Sequence, residues 1–362
     1  MALRILHFVT GGFSGATQVA IDLVGAHNQR ADMECALALR QKKTTTADHL
    51  QRLRQDEIPY HLVSGATHWL TIYQLMKLCR VWKPDILVTH GFPEHLLGRW
   101  AGLWAKVPYL VQVEHNSRER YTPWKLIQSR WLSHKTDKIV AVSEGVAGVL
   151  VQQGLYAPIQ TIANGIDPQR FGGSDINLVG TRPEDIVMVG RFAKSKDQAS
   201  VVRALHLLHT RGMQAKLTLV GGGSRRYRQR VKQLVALYGL ENWVTFIEYS
   251  TQVDRILAEH KIFVMASFFE GLNLSVLEAM ASGCVVIGSD VVGVAELIEH
   301  GKDGFLFQAA DAEAVADLLQ SVLHQPWQYQ PQADAGRQKI RHRYDKQRVN
   351  SEYYQLFKSL IR

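Results

Sequence analysis

Short apolar segments alternate with amphipathic helical segments twice along the chain, and this alternation constrains the fold more than any single motif. The first run extends from residue 3 to residue 153, and the second extends from residue 186 to residue 307. Strands that alternate with helices in this way pair in parallel, with helices on both faces of the sheet. We therefore predict an α/β protein of two doubly wound, Rossmann-like domains that face each other across a deep cleft.

We place the first domain at residues 1–168 and the second at residues 184–346. The stretch between them, 169–183, is weakly patterned and follows the turn signal Asn-Gly-Ile-Asp-Pro at 164–168, so it is predicted to be a linker. A final helix at 347–362 can pack on either lobe, and the first lobe is our choice. A chain of 362 residues, 46% of them hydrophobic, is long enough for two cores of ordinary size.

The composition excludes several classes of protein. No apolar run approaches the ~18 residues of a membrane span. The N-terminal apolar segment is interrupted by His7 and is too short for a signal peptide. The cysteines lie apart, without metal-ligand spacing, as is typical of reduced core residues: Cys35, Cys79 and Cys284. We therefore expect a cytoplasmic protein, either free or peripheral on the inner face of the cell membrane.

The chain carries a formal net charge of +9 and a pI near 9.4, which permits an anionic partner. Its cations concentrate at 118–138, among aromatic side chains, and at 225–232. Either segment can be a solvated helix face. The first is the better candidate for contact with an anionic membrane surface or a lipid-linked acceptor, through Arg118, Arg120 and Trp124. No nucleic-acid motif accompanies either segment, so nucleic acid is not an expected partner. The oligomeric state is left open.

Three features of the first domain fall at the carboxyl ends of predicted strands, where open α/β sheets bind ligands. One is the glycine-rich segment 11–15, whose Gly12 and Gly15 permit close approach of a ligand to the backbone. The segment lacks the Rossmann and P-loop glycine motifs, and the alternative is a tight turn. The others are His90 and His115, for which a structural role is the alternative.

The second domain contains a predicted helix start between two carboxylates. Asn273 is a good N-cap residue, Glu270 precedes it, and Glu278 lies inside the helix. We expect the N–H groups of Leu274, Ser275 and Val276 to be free to bind an anion. Such a site suits a sugar nucleotide, since the N–H groups can bind its diphosphate and the glutamates its hydroxyls. The alternative is that both glutamates are ordinary solvated residues.

Two cations and a second glycine-rich turn are expected at the same edge of the second sheet. Arg191 and Lys196 follow a predicted strand, and Gly222 lies in the turn 221–223 after the next one. Arginine makes planar paired contacts with phosphate oxygens, and lysine supplies a compact charge. Together with the helix start they would form a diphosphate site. Ordinary surface charge is the alternative.

Several segments in this order resemble the retaining GT-B glycosyltransferases of family four (glycosyl transferases group 1), which include many bacterial lipopolysaccharide and capsule enzymes. The resemblance covers nearly the whole chain. It rests on VEHN at 113–116, NGID at 164–167, VGRF with a lysine at 189–196, LVGGG at 219–223, EGLNLSVLEAMA at 270–281 and GVAELIEHGKDGFLF at 293–307. Two positions depart from the family pattern: Ala163 replaces the usual proline before NGID, and 15–17 lack the usual acidic residue.

The resemblance implies a role for each candidate residue. Arg191 and Lys196 would bind the donor diphosphate and stabilise the leaving group. Glu270 would hold hydroxyls of the donor sugar, and Glu278 the nucleotide ribose. His115 would lie beside the transferred sugar, and the segment 12–15 would approach the phosphates or the acceptor.

The expected reaction is transfer of a hexose-type sugar from a nucleotide diphosphate sugar to a hydroxyl of a glycan or lipid-linked acceptor, with retention of configuration. A UDP-sugar is the favoured donor and a GDP-sugar the second choice. No metal or other cofactor is expected, since the cations and the helix start already supply positive charge. The alternatives are a sugar-nucleotide epimerase of the same fold and a non-catalytic two-lobed binding protein.

Overall fold

The computed structural model describes residues 2–12, 14–117, 121–173 and 177–361, and in these ranges the strands form two parallel sheets, one of seven strands and one of six. The chain divides into two compact units. The first consists of Met1–Asn164 and Gln347–Arg362, and the second of Gly165–Lys346. The predicted fold class, two doubly wound α/β halves, is confirmed.

The first unit is built on the seven-stranded sheet, in the order β3-β2-β1-β4-β5-β6-β7. Its strands are β1 Leu3–Thr10, β2 Met33–Arg40, β3 Tyr60–Val63, β4 Ile86–His90, β5 Tyr109–Glu114, β6 Lys138–Ala141 and β7 Ile159–Thr161. Its connecting helices are α1 Gly15–Asn28, α2 Ala47–Gln55, α3 His68–Trp82, α4 Glu94–Ala105, α5 Pro123–Ser133 and α6 Glu144–Gln152.

Local sequence signals set the starts of these helices, because hydroxyl side chains accept hydrogen bonds from otherwise unpaired N–H groups. Thr46, Thr67, Thr122 and Ser143 cap α2, α3, α5 and α6 in this way. The strands between the helices are apolar and buried, as in Ile86–His90, where every residue is buried. Such strands require cover on both faces, which the helices provide.

The second unit is built on the six-stranded sheet, in the order β10-β9-β8-β11-β12-β13. Its strands are β8 Glu184–Val189, β9 Leu217–Val220, β10 Val244–Ile247, β11 His260–Met265, β12 Val285–Ser289 and β13 Phe305–Phe307. Its helices are α7 Pro168–Phe171, α8 Gln198–Thr210, α9 Arg225–Leu237, α10 Val253–Glu259, α11 Leu274–Ala281, α12 Ala312–His324 and α13 Gln330–Arg343. Short 3-10 turns lie at Val179–Thr181, Lys194–Lys196 and Pro326–Tyr329.

The final helix, α14, extends over Lys346–Leu360, and nearly all of it belongs to the first unit. Its Phe357 is fully buried and contacts the ring of His7 edge-on, with centroids 6.0 Å apart. The Tyr354 hydroxyl donates to Asp32 Oδ2 over 2.9 Å. These contacts hold the helix against the first sheet. No helix in the described ranges is both long and apolar enough to cross a membrane.

The described residues of the predicted linker 169–183 belong to the second unit, where the buried guanidinium of Arg182 binds the carbonyl oxygens of His260 and Ser282 at 2.8 and 2.7 Å. These bonds hold Arg182 against the second unit. Residues 292–297 form a series of turns around Gly293, whose φ is 80°.

Candidate functional site

The start of α11 is capped by its own N-cap residue. Asn273 is only 5% exposed, and its Oδ1 accepts from the Val276 N–H over 3.2 Å. The Val276 amide is therefore occupied, which corrects the prediction that it is free. No acceptor is found in the described ranges for the amides of Leu274 and Ser275, and Nδ2 of Asn273 is buried there without a partner. These three donors lie at one helix end.

Lys196 and Glu270 form an ion pair beside this helix start. Lys196 Nζ donates to Glu270 Oε1, with side-chain exposures of 17% and 14%. The Ser267 hydroxyl donates to the same oxygen over 2.6 Å. Both bonds in the described part of the chain end on Oε1, so Oε2 is the oxygen that remains available to a ligand hydroxyl. Ser267 has no sequence signal beyond its position after a strand.

Backbone contacts fix the loop that carries Glu270. The Phe268 N–H donates to the Ser195 carbonyl over 2.9 Å, which ties the loop to the turn containing Lys196. Gly293, at φ 80°, passes so close to Gly271 that a Cβ there would lie 2.1 Å from its carbonyl oxygen. Only glycine avoids this clash. The loop is thus held from two sides before any ligand binds.

The glycine-rich turn 221–223 pairs with the segment that carries Arg191. The Phe192 N–H donates to the Gly222 carbonyl over 2.6 Å, and a Cβ on Gly221 would lie 2.2 Å from the Gly190 carbonyl oxygen. The Arg191 backbone is held on its other side by Gln198, whose Nε2 donates to the Arg191 carbonyl over 3.0 Å. The Arg191 side chain itself is exposed.

Glu278 lies partly buried on α11, one turn beyond the cap. Burial raises the pKa of this carboxyl to about 7, an effect that Arg170 opposes and Asp254 reinforces. Near neutral pH the side chain is therefore poised between a hydrogen-bond donor and an ionised acceptor.

In the first unit, the glycine-rich segment comes closest to another part of the backbone at Gly11, where a Cβ would lie 2.6 Å from the Arg40 carbonyl oxygen. Gly12 is less confined, since a Cβ there would lie 3.4 Å from Thr44 Oγ1. Gly15 is the first residue of α1, and the N-cap, Ser14, makes no side-chain cap bond. This helix start therefore differs from the capped start of α11.

Three histidines form a hydrogen-bonded chain: His7 lies on β1, His90 on the neighbouring β4, and His115 directly after β5. His7 Nδ1 lies 3.0 Å from His90 Nε2, and His90 Nδ1 lies 3.1 Å from His115 Nε2. Burial lowers the pKa of His7 to about 3, that of His115 to about 4, and that of His90 well below its usual value. All three are therefore neutral at physiological pH. Sequence inspection identified His90 and His115, whereas His7 showed only as a polar residue inside an apolar strand.

A second polar group at this sheet edge was not predicted. Glu94, 2% exposed at the start of α4, binds Arg40 at 3.2 Å and Lys42 at 3.3 Å. The Lys42 side chain is 35% exposed. One buried carboxylate therefore holds two cations, which leaves the group with a net positive charge.

The residues predicted to contact the acceptor or a membrane lie in different environments. Arg118 and Arg120 lie outside the described residues. Trp124 is 66% exposed on the first turn of α5. His90 is 1% exposed and lies between His7 and His115 in the histidine chain. Within the described residues, no group of three or more His, Cys, Asp or Glu side chains has the arrangement of a metal site.

Two family models match the chain and together extend over most of it: Glycosyltransferase Family 4 at residues 13–170 and Glycosyl transferases group 1 at residues 174–342. The N-acetyl-alpha-D-glucosaminyl L-malate synthase of Bacillus anthracis is 28% identical over 210 residues, 56% of this chain and 54% of that enzyme. The putative colanic acid biosynthesis glycosyltransferase WcaL of Escherichia coli K12 is 27% identical over 300 residues, 77% of this chain and 71% of WcaL.

Among solved structures, Anabaena HepE in complex with UDP and glucose superposes with a TM-score of 0.87 at 19% identity, covering 99% of this chain and 100% of that one. The two parallel sheets and this likeness define a protein of the GT-B fold. The chain belongs to the glycosyltransferases, with a family 4 domain followed by a group 1 domain. The family resemblance of its motifs is confirmed.

Proposed function

We propose that this glycosyltransferase moves a hexose-type sugar from a nucleotide diphosphate sugar to a hydroxyl of a glycan or lipid-linked acceptor, with retention of anomeric configuration. A UDP-sugar is the favoured donor, in agreement with the UDP bound to HepE, and a GDP-sugar is second. The process served is the synthesis of surface polysaccharide or lipopolysaccharide, in agreement with the colanic acid role named for WcaL.

The observation that carries this proposal is the grouping of complementary donors and acceptors at the start of α11. The amides of Leu274 and Ser275 and the buried Asn273 Nδ2 are suited to phosphate oxygens. Lys196, fixed by Glu270, adds a positive charge, and Arg191 supplies a second, exposed one. Glu270 Oε2 is the acceptor for sugar hydroxyls. A diphosphate joined to a sugar needs this combination.

The chemistry follows from where charge develops. As the bond between the anomeric carbon and the diphosphate oxygen breaks, the leaving group gains negative charge and the sugar becomes oxocarbenium-like. Preplaced N–H groups and cations stabilise that charge without reorganisation. The acceptor hydroxyl forms the new bond to the anomeric carbon and gives up its proton, which the departing diphosphate can take. In this scheme Glu278 binds the ribose, and His115 lies beside the transferred sugar.

The first unit supports an acceptor that carries an anionic group. Arg40 and Lys42 share the single buried carboxylate of Glu94 at the carboxyl edge of the first sheet, so their summed charge exceeds its own. A phosphate or carboxylate near the acceptor hydroxyl would complement this charge. L-malate, named in the Bacillus anthracis relative, has such groups, as does a lipid-linked diphosphate.

We infer that turnover needs no metal ion, because Lys196, Arg191 and the helix start supply the positive charge for the leaving group. Activity should therefore persist in EDTA. Strict dependence on Mg²⁺ or Mn²⁺ would contradict this inference, and the rest of the proposal would stand.

The decisive experiment begins with a thermal-shift screen of UDP-, GDP-, ADP- and dTDP-sugars. A donor present at 100 times its dissociation constant adds about 2.7 kcal/mol of stability. The best donor is then incubated with anionic acceptors, and NMR couplings of the product give its anomeric configuration. Inversion would overturn the retaining mechanism. Formation of an epimer without acceptor would favour the epimerase, and binding without any turnover would favour the non-catalytic alternative.

A further inference from the structure

Tryptophan rings from three consecutive helices of the first unit form a continuous ladder. Trp69 of α3 stacks on Trp104 of α4, with ring centroids 6.3 Å apart. Trp104 contacts Trp100 of the same helix at 5.7 Å, and Trp100 stacks on Trp131 of α5 at 5.0 Å. The sequence pointed only to α5, and the tertiary structure adds α3 and α4.

Most of this ladder faces solvent. Trp69 is 74% exposed, Trp131 49% and Trp104 43%. Other large apolar side chains of α3 and α5 are exposed as well, among them Leu70, Tyr73, Trp124 and Ile127. We call these residues, with Trp100, the aromatic face. Contiguous exposed apolar surface of this kind marks an interaction site more often than chance.

The charge around the aromatic face has one sign. Helices α3 and α5 contain no Asp or Glu, and the sole acid of α4 is the buried Glu94. The exposed or half-exposed cations on these helices or within two residues of their ends are Lys77, Arg80, Lys83, Lys106, Lys125, Arg130 and Lys135, whereas Arg99 of α4 is buried. Aromatic rings favour the headgroup level of a bilayer, and lysine and arginine near that surface are attracted by anionic lipids.

We propose that the aromatic face docks this unit on an anionic lipid bilayer, with the exposed rings in the headgroup region and the surrounding cations against the lipid phosphates. A second copy of the chain is a poorer occupant. A two-fold interface would bring the same cations together from both copies, without carboxylates on these helices to pair with them.

The test is co-sedimentation of the full chain with vesicles of phosphatidylcholine alone and of phosphatidylcholine mixed with phosphatidylglycerol. We expect binding to the mixed vesicles that weakens with added salt. Trp69→Ser combined with Ile127→Ser, and separately Lys77→Glu combined with Lys106→Glu, should each lower the affinity about tenfold or more. Leu237→Ser is the matched control, since Leu237 is a 76% exposed apolar residue of the second unit.

Two further measurements keep the result decisive. Brominated lipid chains should quench the tryptophan fluorescence of the unaltered protein, a readout that needs no variant. Circular dichroism checks that each variant is folded. No binding to mixed vesicles, equal binding by the variants and the unaltered chain, or a dimer that the same substitutions dissociate would overturn the proposal. Vesicle binding is measured without sugar transfer, so this outcome is independent of the proposed reaction.

Discussion

His7 Nδ1 lies 3.0 Å from His90 Nε2 inside the first sheet, where both rings are buried. A neutral imidazole has one donor and one acceptor nitrogen, so His90 must donate to one neighbour and accept from the other. The bonds from His7 through His90 to His115 therefore all run in one direction. The tautomer of His7 determines which nitrogen of His115 carries its proton.

We expect His7→Phe to lower kcat for sugar transfer, by up to about 10²-fold if the ring of His115 shifts by an ångström, with a smaller effect on donor KM. The substitution removes the bond that orients His90 while keeping a ring of similar size. Steady-state kinetics measures the effects on kcat and on donor KM separately. His27→Gln is the control. His27 is another buried histidine of this unit, but its ring binds the Asn350 backbone carbonyl and is not part of the hydrogen-bonded chain of His7, His90 and His115. Equal losses in both variants would indicate a general packing effect.

Stability of the first unit should fall as the pH falls below 6.5. Burial lowers the folded-state pKa of His7 to about 3 and of His115 to about 4, from 6.5 in the unfolded chain. Between these values the unfolded chain binds more protons than the folded protein, so the free energy of unfolding decreases as the pH falls. Thermal melts from pH 8 to pH 5 measure this. A slope unchanged in His7→Phe would contradict the assignment.

Lys196→Ala should reduce kcat/KM by about 10²–10³, the usual cost of losing one charge-stabilising donor in an active site. The variant also leaves Glu270 without its cation. Lys194→Ala is a matched control, since Lys194 lies in the same 3-10 turn but is exposed. Initial rates with saturating acceptor measure both. Similar rates for the two variants would remove Lys196 from the donor site.

Glu278→Gln should raise the melting temperature at pH 8 and have little effect near pH 4. Burial raises the folded pKa of Glu278 to about 7, from 4.5 in the unfolded chain. Above pH 4.5 the unfolded chain loses this proton first, so stability declines until pH 7 and the full cost remains above it. Glutamine cannot ionise and avoids the cost. Glu241→Gln, at an exposed position, controls for the change in net charge.

The affinity for the donor should also depend on the ionisation of Glu278. If an ionised Glu278 accepts hydrogen bonds from the ribose, donor KM will rise as the pH falls below about 7. Glu278→Gln should bind donor weakly at every pH. A wild-type KM that does not change between pH 6 and pH 8 would contradict a ribose-binding role.

Gly293→Ala should destabilise the second unit more than Gly301→Ala, although both glycines have a φ of 80°. The left-handed backbone alone costs an alanine about 1–2 kcal/mol. At Gly293 the new Cβ would also lie 2.1 Å from the Gly271 carbonyl oxygen, whereas nothing lies within 4 Å at Gly301. Chemical denaturation measures the difference. Gly293→Ala should also lower activity, because the displaced loop carries Glu270.

The sequence alone predicted most of the strand and helix pattern, since buried parallel strands are short apolar runs and the helices have hydroxyl caps. It also identified the helix start at Asn273 and the polar residues around it, because those signals are local. It did not identify the short strand Ile159–Thr161, the bonds from the Arg182 side chain to the second unit, or the occupied Val276 amide.

Three relationships were decided only by the tertiary structure. The ion pair of Lys196 with Glu270, the histidine chain and the tryptophan ladder each join residues from separate elements. Composition and periodicity determine which residue types each segment offers and which face is buried. Strand order and loop contacts determine which of those side chains meet, because partners such as His7 and His90 are brought together by neighbouring strands far apart in the chain.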